Sequence, residues 1–194
     1  MFRLINNKLV LLVMHILLLP HVLAYYLCVK KSIIDQDVIR MNSHRGINLN
    51  GSFGLLYLLL VNPFYRNVFY LRIGRFSHMM AWMLPRAKYF YPCKDIGGGV
   101  FLAHPYATII NAKSVGSNFS VRQCTTIGNK RDGDGRNGPV IGNNVSVGAN
   151  VCIIGDISIG DNVIIGAGSV VVNDIPDNCV IVGNPARIIN SVNL

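Results

Sequence analysis

The sequence predicts a mainly β fold, a parallel β-helix of about five coils over residues 89–194, preceded by an α-helical region over residues 1–88. Three observations carry that expectation. Apolar β-formers recur every six residues along the second half. Glycine follows most of them. The first half has long apolar runs without that period, interspersed with cations.

The period is clearest from Val115 to Ile175. Apolar residues stand at Val115, Val121 and Ile127, then at Ile141, Val147, Ile153, Ile159, Ile165 and Val171. Glycine follows at 116, 128, 142, 148, 160 and 166, while Arg122, Ile154 and Val172 break that rule. Three residues past the glycine position come Phe119, Thr125, Val145, Val151, Ile157, Val163, Ser169 and Ile175. A repeat this short cannot bury a core alone, so its units must stack. Each hexad reads as one short strand and one turn, three to a triangular coil. The two apolar positions point inward, glycine supplies backbone freedom at the corners, and Asn143, Asn144, Asn150, Asp161, Asn162 and Asn178 supply turn chemistry. Between Ile127 and Ile141 the hexads yield to NKRDGDGRNGPV, an excursion from one corner. Such insertions lie where function is added to a rod.

The chain has 194 residues, net charge +9, and 51% apolar residues. Its charge is uneven. Residues 1–95 hold twelve Lys or Arg and three Asp, and residues 96–194 hold six of each. Five cysteines show no paired spacing, which fits a reducing compartment without a disulfide framework. Residues 9–29 read LVLLVMHILLLPHVLAYYLCV, with Arg3 and Lys8 before and Lys30 and Lys31 after. Their length suits a bilayer span. Pro20 would kink a helix there, His15 and His21 are polar, and cations at both ends give no orientation. No small-residue cleavage site marks a signal peptide. Leu55–Val61 forms a second apolar run, stopped by Asn62-Pro63. FYRNVFYLRIGRF at 64–76 interleaves Arg66, Arg72 and Arg75 with aromatics, and MMAWML at 79–84 holds the single Trp. Together these suggest a kinked helical module that attaches to a membrane surface. Buried helices of a soluble domain are the alternative. A nucleic-acid partner is excluded, because the cations lie among aliphatic runs rather than in a polar groove. The histidines form no metal-ligand cluster, so no metal is expected. PRAKYFYP at 85–92 is expected to lead into the rod as irregular structure, and Gly97-Gly98-Gly99 reads as a tight corner.

The hexads resemble those of the hexapeptide-repeat acyltransferases, over roughly residues 89–190. The resemblance, and nothing else, implies a left-handed helix, since parallel crossovers are otherwise right-handed. The segment Ile96–Ala107 is similar to the serine acetyltransferase branch, where a glycine-bearing turn and an aliphatic pair lead to the catalytic histidine. That implies His104, the only histidine of the repeat half, as general base, and acetyl-CoA as co-substrate. An imidazole of ordinary pKa suits this task, and backbone N–H groups would steady the oxyanion. The bland alternative for His104 is a corner residue making a structural hydrogen bond.

The resemblance further implies coenzyme contacts at Gly128, Gly148, Ala149, Gly166, Ala167 and Arg187. Lys130, Arg131, Asp132, Asp134 and Arg136 of the excursion are candidate contacts to phosphate or an acidic sugar, with a plain solvated loop as the alternative. This sequence departs from the serine pattern at three places. Ala103 stands where the branch has an acid, Tyr89 stands where it has the carboxylate that orients histidine, with Asp95 as a displaced substitute, and the second histidine falls at Asn137 or Gly138. The expected activity is therefore O-acetylation of a carbohydrate, as a surface polysaccharide or lipid-linked glycan, by a homotrimer at the cytoplasmic face of the cell membrane. Serine O-acetylation and a non-catalytic scaffold are the alternatives.

Overall fold

The computed structural model describes residues 8–130 and 138–191. The chain divides into two compact units, residues 1–87 and 88–194.

The first unit is helical. Its elements are α1 (Lys8–Leu17), α2 (Leu19–Leu27), α3 (Lys31–Ser43), α4 (Gly51–Val61), α5 (Pro63–Ile73), a 3₁₀ turn (Gly74–Phe76) and α6 (Ser77–Met80). The long apolar run breaks at Leu18, and Pro20 falls in the first turn of α2, where its missing N–H has no helical partner to lose. Asn62 ends α4 and starts α5. Its Oδ1 accepts from the N–H groups of Phe64 at 3.1 Å and Tyr65 at 3.2 Å, with Pro63 at the next position. Ile34, Val38, Met41, Leu55, Leu59, Val68 and Phe69 make the core.

Two expectations for this unit are corrected. Leu55–Leu59 of the second apolar run is buried in protein rather than presented to a membrane. Arg66 and Arg72 also turn inward. Arg66 donates to the carbonyls of Leu59, Leu60 and Pro85. Arg72 forks onto Asp37, Nε to Oδ2 at 3.0 Å and Nη2 to Oδ1 at 3.2 Å, and Tyr65 donates to the same carboxylate. Among the described residues no helix is long and apolar enough to cross a membrane.

The second unit is a rod of three sheets. Sheet I runs β1 (Phe90–Tyr91), β3 (Thr108–Ile110), β6 (Thr126–Gly128), β9 (Cys152–Ile154) and β12 (Val170–Val171). Sheet II runs β4 (Ser114–Val115), β7 (Val140–Ile141) and β10 (Ser158–Ile159). Sheet III runs β2 (Phe101–Ala103), β5 (Ser120–Arg122), β8 (Ser146–Val147), β11 (Ile164–Ile165), β13 (Cys179–Val182) and β14 (Arg187–Ser191). All pairings are parallel except β13 with β14. The chain visits sheets I, II and III in turn, so the rod has three corners per coil. Residues 85–89 of PRAKYFYP are irregular, as expected, and only its Phe90–Tyr91 joins the rod as β1, with Phe90 buried and Tyr91 aligned with Ile109.

The hexads set the core. Val121, Val147, Ile165 and Ile181 stack in register, as do Ile110, Ile127, Ile153 and Val171, all buried. The glycines after them have a different reason from the one expected. Their φ values are not left-handed. At Gly116, a Cβ would stand 2.6 Å from the backbone of Gly142 in the next coil, and at Gly148 it would meet Ala167 N at 2.6 Å. Left-handed slots at the corners fall instead to Asn118, Asn144, Asn150, Asn162 and Asn178, and also to Cys124 and Gly168, among others. Side-chain amides bridge successive coils from Asn118 to Asn144, Asn162 and Asn178 at 2.7–3.0 Å. Beside that ladder Asn143 donates through backbone and side chain to Asp161, which holds its carboxyl below the ordinary range.

Candidate functional site

The corner between sheets III and I departs from the period at one place. Val121 to Ile127, Val147 to Ile153 and Ile165 to Val171 each step six residues along the sequence, but Leu102 to Ile110, in register with the first pair, steps eight. Ala103 to Thr108 thus occupies six positions where the next coil has four, Arg122 to Thr125. The two extra residues push the chain outward at His104-Pro105-Tyr106. His104 sits at φ 55° and Ala107 at φ 51°, which turns the chain twice within four residues. The His104 ring is exposed, and its carbonyl accepts from the Tyr106 N–H at 2.7 Å. Pro105 and Thr108 anchor the swelling below, where Thr108 Oγ1 donates to the carbonyls of Tyr106 and Arg122, each at 3.2 Å. Thr125 repeats the bond to the next coil, donating to the Gly148 carbonyl, whereas Ser169 donates within its own corner to Gly166.

Several expected residues share this corner. Tyr89 lies one coil before His104, with its ring 5.6 Å from that of Tyr106 in an edge-on pair, and both rings are exposed. Gly148, Ala149, Gly166 and Ala167 lie on it in later coils. The packing of Gly148 and of Gly166, whose Cβ would meet Val182 Cγ1 at 2.6 Å, explains glycine at both positions without a ligand. Asp95, Gly128 and Lys130 stand instead on the corner between sheets I and II. Gly128 differs from the other repeat glycines: a Cβ there would meet nothing closer than 3.9 Å, so the packing does not require glycine. Arg187 is exposed on β14. Arg131, Asp132, Asp134 and Arg136 lie outside the described residues.

Two residues of the site were not singled out from the sequence. Tyr106 belongs to the swelling, and the eight-residue step from Leu102 was the available signal. Arg122 pairs in register with Ala103, the residue before His104, and is exposed. Its place as an outward cation was visible only as a break in the glycine rule. Among the described residues this corner has no carboxylate, and among them no three His, Cys, Asp or Glu side chains gather as a metal would require.

Residues 138–173 match the family described as bacterial transferase hexapeptide (six repeats). That stretch of the rod carries the repeat which defines the family. Over 94 residues it is 49% identical to WcaB of Escherichia coli strain K12, whose name assigns it provisionally to colanic acid biosynthesis as an acetyltransferase; the match covers 48% of this chain and 57% of WcaB. Over 141 residues it is 36% identical to a serine acetyltransferase of Synechocystis, covering 70% of this chain and 55% of that one. The chain therefore spans little more than half the length of these relatives. A crystal structure of Neisseria gonorrhoeae serine acetyltransferase superposes with a TM-score of 0.64 at 26% identity, covering 84% of this chain and 66% of the other. Parallel ladders, hexapeptide repeats and this likeness together fit a left-handed β-helix.

Proposed function

We propose that the chain transfers an acetyl group from acetyl-CoA to a hydroxyl of a carbohydrate, with His104 as general base. The observation that carries this reading is the exposed His104 at the swollen corner, in a chain 49% identical to WcaB over its best-matched stretch. The imidazole takes the hydroxyl proton as the oxygen attacks the thioester carbonyl carbon. The tetrahedral intermediate expels the coenzyme thiolate, the C–S bond breaks, and the proton passes to sulfur. Tyr89 and Tyr106 offer flat faces to a sugar ring. Arg122 offers a cation to an acidic sugar or to a coenzyme phosphate.

The chain works as a homotrimer in this reading. Lys130 stands on a different corner than His104, at the far end of the sheet I strands, and in this reading a neighbouring rod brings the two together. The helical unit rests on the cytoplasmic face of the cell membrane, where acetyl-CoA meets a lipid-linked glycan.

Serine is the second reading, favoured by likeness to serine acetyltransferases over 70% or more of the chain. Its ammonium group needs a carboxylate, and the described part of this corner has none. Thiol release from acetyl-CoA, measured with serine and with nucleotide sugars or extracted lipid-linked glycans, separates the two. Release with a glycan and not with serine is expected; release with serine alone would replace the proposal.

A further inference from the structure

Helix α2 carries no charge, and its one imidazole, His21, lies on its buried face. Its inner face, with His21, Val22 and Tyr25, is buried, as is Leu18 just before it. Its outer face is not: Leu23 is 50% exposed, Leu27 82%, and Val29 beyond it 100%. Across a groove of about 710 Å³ stand Phe76, Met79 at 74% exposure and Trp82 at 78%. A helix without a polar face belongs in a core or against lipid, and an exposed apolar surface of this extent marks an interaction site.

Charge selects the partner. Residues 1–87 hold ten Lys or Arg and two Asp, a net of +8. Both carboxylates already have cations: Asp35 meets Lys31 at 2.8 Å and Asp37 meets Arg72 at 3.0 Å. Lys30 is exposed at the groove, and Arg75 is exposed beside Phe76. A second copy of the same face would bring like charge onto like charge. An anionic bilayer complements both the apolar floor and the basic rim.

We propose that the face formed by α2, the 3₁₀ turn and residues 77–83 docks onto an anionic bilayer, lying in the plane of the headgroup–acyl boundary. It rests on the membrane part of the function proposed above and names its surface and lipid class. Helices α1 and α2 have 10 and 9 residues, about half a bilayer core at 1.5 Å per residue, so they lie on the membrane rather than cross it.

Trp82 is the single Trp of the chain, so its emission reports on this face without labelling. The full chain is mixed with vesicles of phosphatidylcholine alone or with added phosphatidylglycerol. With phosphatidylglycerol the emission moves to shorter wavelength and the chain co-sediments. Leu27→Ser with Met79→Ser lowers co-sedimentation by at least about tenfold, and Lys30→Gln or Arg75→Gln lowers it by about fivefold each. Unchanged emission with the chain left in the supernatant overturns the proposal. So does a concentration-dependent rise in mass, without vesicles, that the Leu27 and Met79 changes abolish, since a second copy then covers the face. Thiol release on a soluble sugar, measured on the same samples, stays at the wild-type rate in every variant, so lipid binding and catalysis fail separately.

Discussion

The helical unit draws on more apolar sequence than the rod, and the two close their cores in opposite ways. In the rod every coil repeats the same inward stack, Val121 on Val147 on Ile165, and polar groups stay at the corners in amide and hydroxyl ladders. The helical unit has no repeat. Its interior encloses an ion pair, Asp37 with Arg72, and a histidine, His21, bonded at 3.0 Å to Tyr70, while part of its apolar surface faces outward. Repetition makes the rod's core a sum of local steps. The helical core depends on a few partners far apart in sequence, so single changes should cost it more.

The largest expected effect breaks the buried pair. Arg72→Ala strands the Asp37 carboxylate and should destabilise the helical unit by about 3–5 kcal/mol, read by denaturant unfolding followed at Trp82. A loss near zero would show that water reaches Asp37. The next effect is set by pH. Burial, and then the Arg66 cation, hold the His21 imidazole down at about 4, against an ordinary 6.5. The unfolded chain therefore binds a proton that the folded chain refuses. Stability of the helical unit should fall as pH drops below 6.5 and level off near 4, by up to about 3 kcal/mol. His21→Gln should flatten that slope, and a slope that persists would place its cause elsewhere. The smallest effect belongs to the rod. Asn144→Ala puts a Cβ-bearing residue without amide at φ 56° and breaks two rungs of the ladder, for about 1–2 kcal/mol. Far-ultraviolet dichroism against denaturant would measure it, and a larger loss would mean the ladder couples several coils.

What the sequence made legible follows the same division. All nine hexad residues from Val115 to Val171 are buried, because a period of six dictates which side chains point inward. Ile157, only half-buried, is the weak member of the second set. The apolar run at Leu55–Leu59 looked like bilayer contact and proved to be core, since hydropathy does not distinguish lipid from protein interior. Arg66 and Arg72 looked outward-facing for want of knowing that Asp37 and the carbonyls of Leu59 and Leu60 lay nearby. At the candidate site His104 was visible as a lone histidine in a repeat. Its exposed setting was not, because it depends on comparing the step from Leu102 with later coils. Arg122 was visible only as an irregularity until register placed it beside Ala103.

The central claim is that the swollen corner presents His104 as the base for acetyl transfer. Its most direct test is the rate of thiol release from acetyl-CoA by wild type and His104→Ala with a glycan acceptor, alongside the unfolding midpoint of each. The account predicts a rate lowered by about 10²–10⁴ at an unchanged midpoint, since the ring is exposed. A rate within a factor of a few of wild type, in a variant that folds normally, would contradict it.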